Sequence, residues 1–266
     1  LAVAGWNLAE SIAAQTPTIG AHQVNSAYDR RVAFPCELGN STARQLGDLS
    51  PALIIPLGST EQHGPHLPVD TDTRIASAVA SRIAQRLAGD WLLAPAIGYG
   101  ASGEHQGFPG TVSIGTSALQ LLLVEYGRSA CDWASRLVFV NGHGGNVAAL
   151  AAAVGLLRQE GRDAAWCACS VEGADAHAGH TETSVLLHIS PESVRTDDWV
   201  AGNEAPLADL MPRMRDGGIA AVSPVGVLGN PTTASATDGS RIFAAMVDDC
   251  SRRIAAWRPG VGGFLQ

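Results

Sequence analysis

Glu61, His63 and Asp72 fall within one short stretch, Gly58-Ser59-Thr60-Glu61-Gln62-His63-Gly64-Pro65-His66-Leu67-Pro68-Val69-Asp70-Thr71-Asp72. A carboxylate, an imidazole and a second carboxylate on a loop stiffened by Pro65 and Pro68 supply oxygen and nitrogen donors suited to Zn²⁺, Fe²⁺ or Mn²⁺. Each residue alone has a plainer role. Asp72 can cap a helix that begins at Thr73, and His63 or His66 can be hydrogen-bonded loop histidines.

Two later segments raise the weight of the metal reading. Asn141-Gly142-His143-Gly144-Gly145-Asn146 follows the apolar run Arg136 to Val140, and its glycines let backbone approach a ligand. His177-Ala178-Gly179-His180-Thr181-Glu182 leads into a pattern that stops before Pro191, with Glu182 in a first helical turn, where a favourable dipole interaction alone would explain it.

These groups need elements to position them. Ala52 to Leu57 is short, apolar and bounded by Pro51 and Gly58, as a buried strand is. Trp91 to Pro95, Arg136 to Val140 and Ala164 to Val171 read the same way, so Glu61, His63, Asp72 and His143 lie just past strand carboxyl ends, where open α/β sheets bind ligands. Cys167 and Cys169 would then share one strand face.

Between the strands, Ile75, Val79, Ile83 and Leu87 recur every four residues up to Gly89, which marks an amphipathic helix. Further helices are expected at Ser41 to Leu46, Ser117 to Ser135, from Asn146 as cap through Arg158, and from Gly239 to Trp257. Alternating strands and helices predict a three-layer α/β/α sandwich around a mostly parallel sheet. The glycine-rich segment Gly98 to Gly110 has no nucleotide-binding pattern and is read as a pocket wall. Thr196 to Val227, irregular and rich in proline and glycine, is read as an excursion covering the site.

The 266 residues carry a formal net charge of -8, with 46% hydrophobic and 16% charged residues and no Lys/Arg cluster. That argues against nucleic acid as a partner. No apolar run reaches the length of a membrane span. Five scattered cysteines, Cys36, Cys131, Cys167, Cys169 and Cys250, lack zinc-finger spacing and fit reduced thiols in the cytoplasm. None has a nucleophile's context, and no G-x-S-x-G elbow occurs, so metal-activated water is the expected nucleophile. Residues 1–24, Ala-rich and beginning at Leu1, are read as an N-terminal extension, with one domain from 25 to 266.

Taken together, Gly58-x-x-Glu61-Gln62-His63-Gly64-Pro65-His66 with Asp72, Glu104-His105-x-x-Phe108-Pro109-Gly110-Thr111, Asn141-Gly142-His143 and His177-Ala178-Gly179-x-x-Glu182-Thr183-Ser184 resemble the creatininase (creatinine amidohydrolase) family. The resemblance implies two divalent ions, one held by Glu61, Asp72 and His143, the other by His63 with a bridging Asp72. Creatinine-hydrolysing members carry a Glu two residues after the histidine matching His143; Gly145 stands there in this chain, and Glu182 could supply the missing carboxylate. His177 and Glu182 are then expected to act on substrate or its water, with His177 as proton donor to the leaving nitrogen, and His105, Gly144 and Gly145 to face the substrate.

Asn25-Ser26-Ala27-Tyr28 and Arg31-Val32-Ala33-Phe34-Pro35 look like a subgroup of that family whose members release a C-terminal Val-Tyr dipeptide from a modified precursor peptide. The same resemblance implies a homo-oligomer, a hexamer or octamer. Two other readings stand beside it: another C–N hydrolase of the family, acting on a cyclic amide or a formamide, and a metal-binding protein without catalysis.

Overall fold

Four parallel strands, β1 (Ala52–Leu57), β2 (Trp91–Leu93), β3 (Arg136–Asn141) and β4 (Ala164–Ala168), form a sheet of order β2-β1-β3-β4 in the computed structural model. It describes residues 37–47, 49–87 and 89–266. The 1–24 extension, the Asn25 to Pro35 motifs and Cys36 lie outside the described residues.

Side chains alternate across the strands, as a period of two requires. Leu53, Ile55, Leu57, Leu137, Phe139, Ala164 and Trp166 belong to one apolar layer; Ile54, Val138, Val140, Ala165 and Cys167 belong to the other. With both faces covered, the strands read as unbroken apolar runs in sequence.

The helices α1 (Ala43–Leu46), α2 (Thr71–Leu87), α3 (Thr116–Ala130), α4 (Val147–Gln159), α5 (His180–Ile189), α6 (Leu207–Gly217) and α7 (Ala236–Ala256) complete the three layers. Residues of α3 and α4 join the first apolar layer, and residues of α2, α5 and α7 the second. On α2, Ile75, Val79 and Ile83 are buried, and each such side chain contributes about 1.5–3 kcal/mol. The expected sandwich is therefore present, and its described strands are all parallel.

Several boundaries differ from expectation. α3 stops at Ala130, where the Cys131 N–H turns back to Gly127, and residues to Ser135 form a turn that re-enters the sheet. β4 ends at Ala168, so Cys169 lies beyond the strand it was expected to share with Cys167. α7 starts earlier, at Ala236, because Ser235 accepts from the Asp238 N–H as an N-cap. Asp72 lies inside the first turn of α2, not before it.

Register places the site. Leu57 pairs with Asn141, so both loops leave the sheet side by side, and the Gly142 N–H donates to the Leu57 carbonyl at 2.8 Å. Gly142 also packs against α2: a Cβ there would lie 2.5 Å from the Asp72 carbonyl oxygen. Among the described residues no helix is long and apolar enough to cross a membrane.

Candidate metal centre

Glu61, His63, Asp72, His105, His143, His177 and Glu182 converge at the carboxyl ends of β1 and β3. Within this cluster three sets bring ligand atoms close enough to hold a cation: Glu61, Asp72 and His143; His63, His177 and Glu182; and Glu61, His105 and His177. Asp72 joins the two loops. Its Oδ1 lies 3.1 Å from His63 Nε2, its Oδ2 lies 3.1 Å from His143 Nδ1, and Ser59 Oγ donates to Oδ2 at 2.8 Å.

Backbone carbonyls orient the imidazoles. His63 Nδ1 donates to the Glu61 carbonyl at 3.0 Å, His143 Nε2 to Ala101 at 3.1 Å and His177 Nε2 to Gln62 at 2.8 Å. In each neutral ring this leaves the other nitrogen bare, and that nitrogen faces a carboxylate: Asp72 for His63 and His143, Glu61 Oε1 at 3.8 Å for His177. Such outer partners fix tautomer and ring orientation at metal sites.

The donor chemistry fits a divalent cation. Glu61 is fully buried, and neither carboxylate oxygen has a hydrogen-bond partner among the described residues. Its nearest polar neighbours are His143 Nε2 at 3.2 Å and His105 Nε2 at 3.3 Å. A buried carboxylate costs several kcal/mol unless it is paired or coordinates a metal.

Burial, then the charge of Asp72, pushes Glu61 up to about 7 against the opposing pull of His143. Burial likewise raises Glu182 to about 7, partly offset by His63. Burial lowers His63 and His143, but Asp72 outweighs it, with Glu182 assisting at His63 and Glu61 at His143; they stand at about 10 and about 9. For Asp72 burial is overcome by His63 and His143, which hold it well below the usual carboxylate range. Burial and the charge of His63 lower His66 to about 4, His105 to about 3, and His177 well below the imidazole range.

These shifts predict the pH profile of the metal-free protein. His63 and His143 are raised, so their stabilisation is complete below 6.5 and is lost as pH rises toward 9 and 10. The raised carboxyls Glu61 and Glu182 lose theirs between 4.5 and about 7. The lowered imidazoles act oppositely, and their stabilisation is lost only as pH falls below 6.5. The Tm measured in chelator is therefore expected to fall from pH 6.5 to pH 9; a Tm that rises over this interval contradicts the site electrostatics.

The remaining expectations divide. Gly144 and Gly145 line the same cavity of about 650 Å³ as the cluster. From the glycine-rich segment only Gly103, Glu104 and His105 reach it, while the excursion supplies residues of α6, Gly218 and Ile219, with Leu228 just beyond it. His66 is drawn away to Thr183 Oγ1 at 2.9 Å, and His180 to Thr233 Oγ1 at 2.9 Å. Asn146 does not cap α4 with its side chain. Its Oδ1 accepts from the Ala101 N–H at 2.9 Å and its Nδ2 donates to the Gly58 carbonyl at 2.9 Å, tying three loops together.

Sequence reading gave no role to Gln62 or Glu104. Gln62 Nε2 reaches His105 Nδ1 at 2.9 Å and the Gly226 carbonyl at 3.0 Å, and its place between Glu61 and His63 was the available signal. Glu104 Oε1 stands 3.8 Å from His143 Nε2 beside Gly145. A Cβ at Gly145 would collide with the Ala101 carbonyl and His143 Nε2 and would crowd Glu104, so the glycine is required by close approach. Ala178, next to His177, has a left-handed φ of 51°, and its N–H donates to Glu182 Oε2 at 2.6 Å.

The three-layer sandwich carries this cluster at its strand ends, and the chain belongs to the creatininase family, whose creatinine amidohydrolase model it matches over residues 39–254; it is a hydrolase that acts on C–N bonds. The mycofactocin precursor peptide peptidase of Mycolicibacterium smegmatis is 67% identical over 246 residues, spanning 91% of this chain and 100% of that protein. The enzyme of the same description from Mycobacterium tuberculosis is 66% identical over 250 residues, with the same coverage. Among solved structures, one described as Creatininase Mn has a TM-score of 0.70 at 26% identity, over 85% of this chain and 100% of that one.

Proposed function

We propose that this chain is a metal-dependent peptidase that releases the C-terminal Val-Tyr dipeptide from the modified mycofactocin precursor peptide. The observation that carries the reading is identity of 67% over the whole length of a mycofactocin precursor peptide peptidase. Glu61, Asp72 and His143 would hold one divalent ion, and His63 with Asp72 and Glu182 a second; the mixed nitrogen and oxygen donors suit Zn²⁺ or Fe²⁺, and also Mn²⁺. Such ions, when bound, polarise an amide carbonyl and lower the pKa of an adjacent water.

The chain's own groups handle the proton. With Nε2 committed to the Gln62 carbonyl, His177 presents Nδ1 beside Glu61 at the cavity wall, where it accepts a proton from the attacking water and hands it to the leaving nitrogen. Water oxygen joins the acyl carbon as the C–N bond breaks, giving a carboxylate and an amine. Glu182, fixed by the Ala178 N–H, faces the same space and supports that transfer. His105 and the backbone of Gly144 and Gly145 bound the acyl side.

The reading includes a homo-oligomer in the cytoplasm; its assembly is supported by Leu121, Leu122 and Trp133, apolar side chains left exposed on and just after α3. Incubating the metal-loaded protein with the modified precursor peptide and, separately, with creatinine tests the activity by mass spectrometry. Release of Val-Tyr with little creatinine opening is expected; efficient ring opening without dipeptide release overturns the assignment.

A further inference from the structure

The cavity has two unlike walls. One carries Glu61, Asp72, Glu104 and Glu182 among the imidazoles; the other is the inward stripe of α6, Leu207, Met211, Met214 and Arg215. Leu207, Met211 and Arg215 are spaced four apart and so lie on one helix face, with Met214 beside them. Leu207 is 44% exposed, a large apolar side chain left at the cavity with no cover. Arg215 is the only Lys or Arg among the lining residues, and its exposed guanidinium forms no salt bridge or hydrogen bond among the described residues. Its helix neighbour Arg213, in contrast, is tied to the Ala221 carbonyl.

The carboxylates and imidazoles face one another at the first wall, whereas the guanidinium of Arg215 at the second is left free for a ligand's carboxylate. An apolar strip ending in that cation matches a short peptide end: side chains on the methionines, carboxylate on the guanidinium, and the amide to be broken toward the acidic wall. Bidentate pairing with a carboxylate is the geometry arginine serves best.

Resting on the peptidase reading, we propose that α6 reads the free carboxyl terminus of the substrate, with Arg215 pairing to the terminal carboxylate and Leu207, Met211 and Met214 receiving the side chains of the departing dipeptide. Arg215 is thus a specificity residue that favours peptides cut close to a free C-terminus.

Two measurements on the metal-loaded protein test this. In calorimetry, Val-Tyr is expected to bind roughly 10-fold more tightly than its C-terminal amide, a preference that Arg215→Gln removes and Arg215→Lys partly keeps. In turnover, Arg215→Gln should raise KM for a peptide with a free C-terminus by about the same factor and leave kcat within about twofold. Equal binding of acid and amide by the unsubstituted protein overturns the proposal, as does a preference that survives Arg215→Gln. An Arg215-dependent preference for the acid in a protein that cleaves no peptide supports the carboxylate site and removes the peptidase reading instead.

Discussion

Asp72→Asn is expected to leave the purified protein with far less than its full complement of divalent metal and to lower dipeptide release by about 10³-fold. Its two oxygens join the loops at the site, each 3.1 Å from a histidine nitrogen. An amide at this position keeps one acceptor and turns the other atom into a donor, which then points at an imidazole nitrogen that must stay bare to coordinate. A Lewis-acid ion supplies several kcal/mol of transition-state stabilisation, and each 1.4 kcal/mol is about tenfold in rate. Elemental analysis per protomer alongside turnover checks both halves; a variant that keeps stoichiometric metal and full activity refutes the bridging role.

Glu61→Gln is expected to lower activity comparably yet to make the metal-free protein more stable. In the fold the ionised carboxylate is disfavoured: Glu61 is fully buried, lacks a hydrogen-bond partner and is raised to about 7 by burial and Asp72. A neutral isostere relieves that cost by about 1–3 kcal/mol, within the range seen when buried ionic groups are replaced by neutral side chains. For a protein of this size each kcal/mol moves the midpoint by roughly 2–4 °C. Thermal unfolding in chelator at pH 8 should therefore show a higher Tm for Glu61→Gln than for the unsubstituted chain. With metal present the order should reverse, because the cation stabilises only the chain that binds it. A lower Tm in chelator would mean that the carboxylate is satisfied by its neighbouring imidazoles alone.

Much of the frame was legible because it is written locally. Ala52 to Leu57 announces β1 by an apolar run between a proline and a glycine, and α2 by apolar residues every four positions. Glu61, His63, Asp72 and His143 stood out because coordinating residue types cluster just past strand ends, and the structure gathers them at one point. What stayed hidden depends on distant partners. Asn146 has the residue type and place of a helix cap, but its amide is used by Ala101 and Gly58, 45 and 88 residues away in sequence. The carbonyls that orient the three imidazoles carry no side-chain signature at all. α6 was obscured by Pro212 in its interior and by Gly217-Gly218 at its end, which local rules read as breaks.

The excursion that carries α6 packs partly on the sheet's second layer, through Trp199, Val225 and Val227, and partly on a core of its own. Leu210, Ile219, Val222 and Leu228, with Phe108 and Met214, form their own small apolar cluster, distinct from the layers on either side of the strands. Coordinating residues and the proposed selectivity residues thereby lie on different segments of one chain. The Gly226 carbonyl accepts from Gln62 Nε2 and Leu228 exchanges backbone hydrogen bonds with His177, so the stretch that evolution, or an engineer, can exchange while these ties stay in place is α6 itself, Leu207–Gly217. Chimeras that graft this stretch from other relatives onto the same frame offer a direct route to hydrolases with new tastes for small amides.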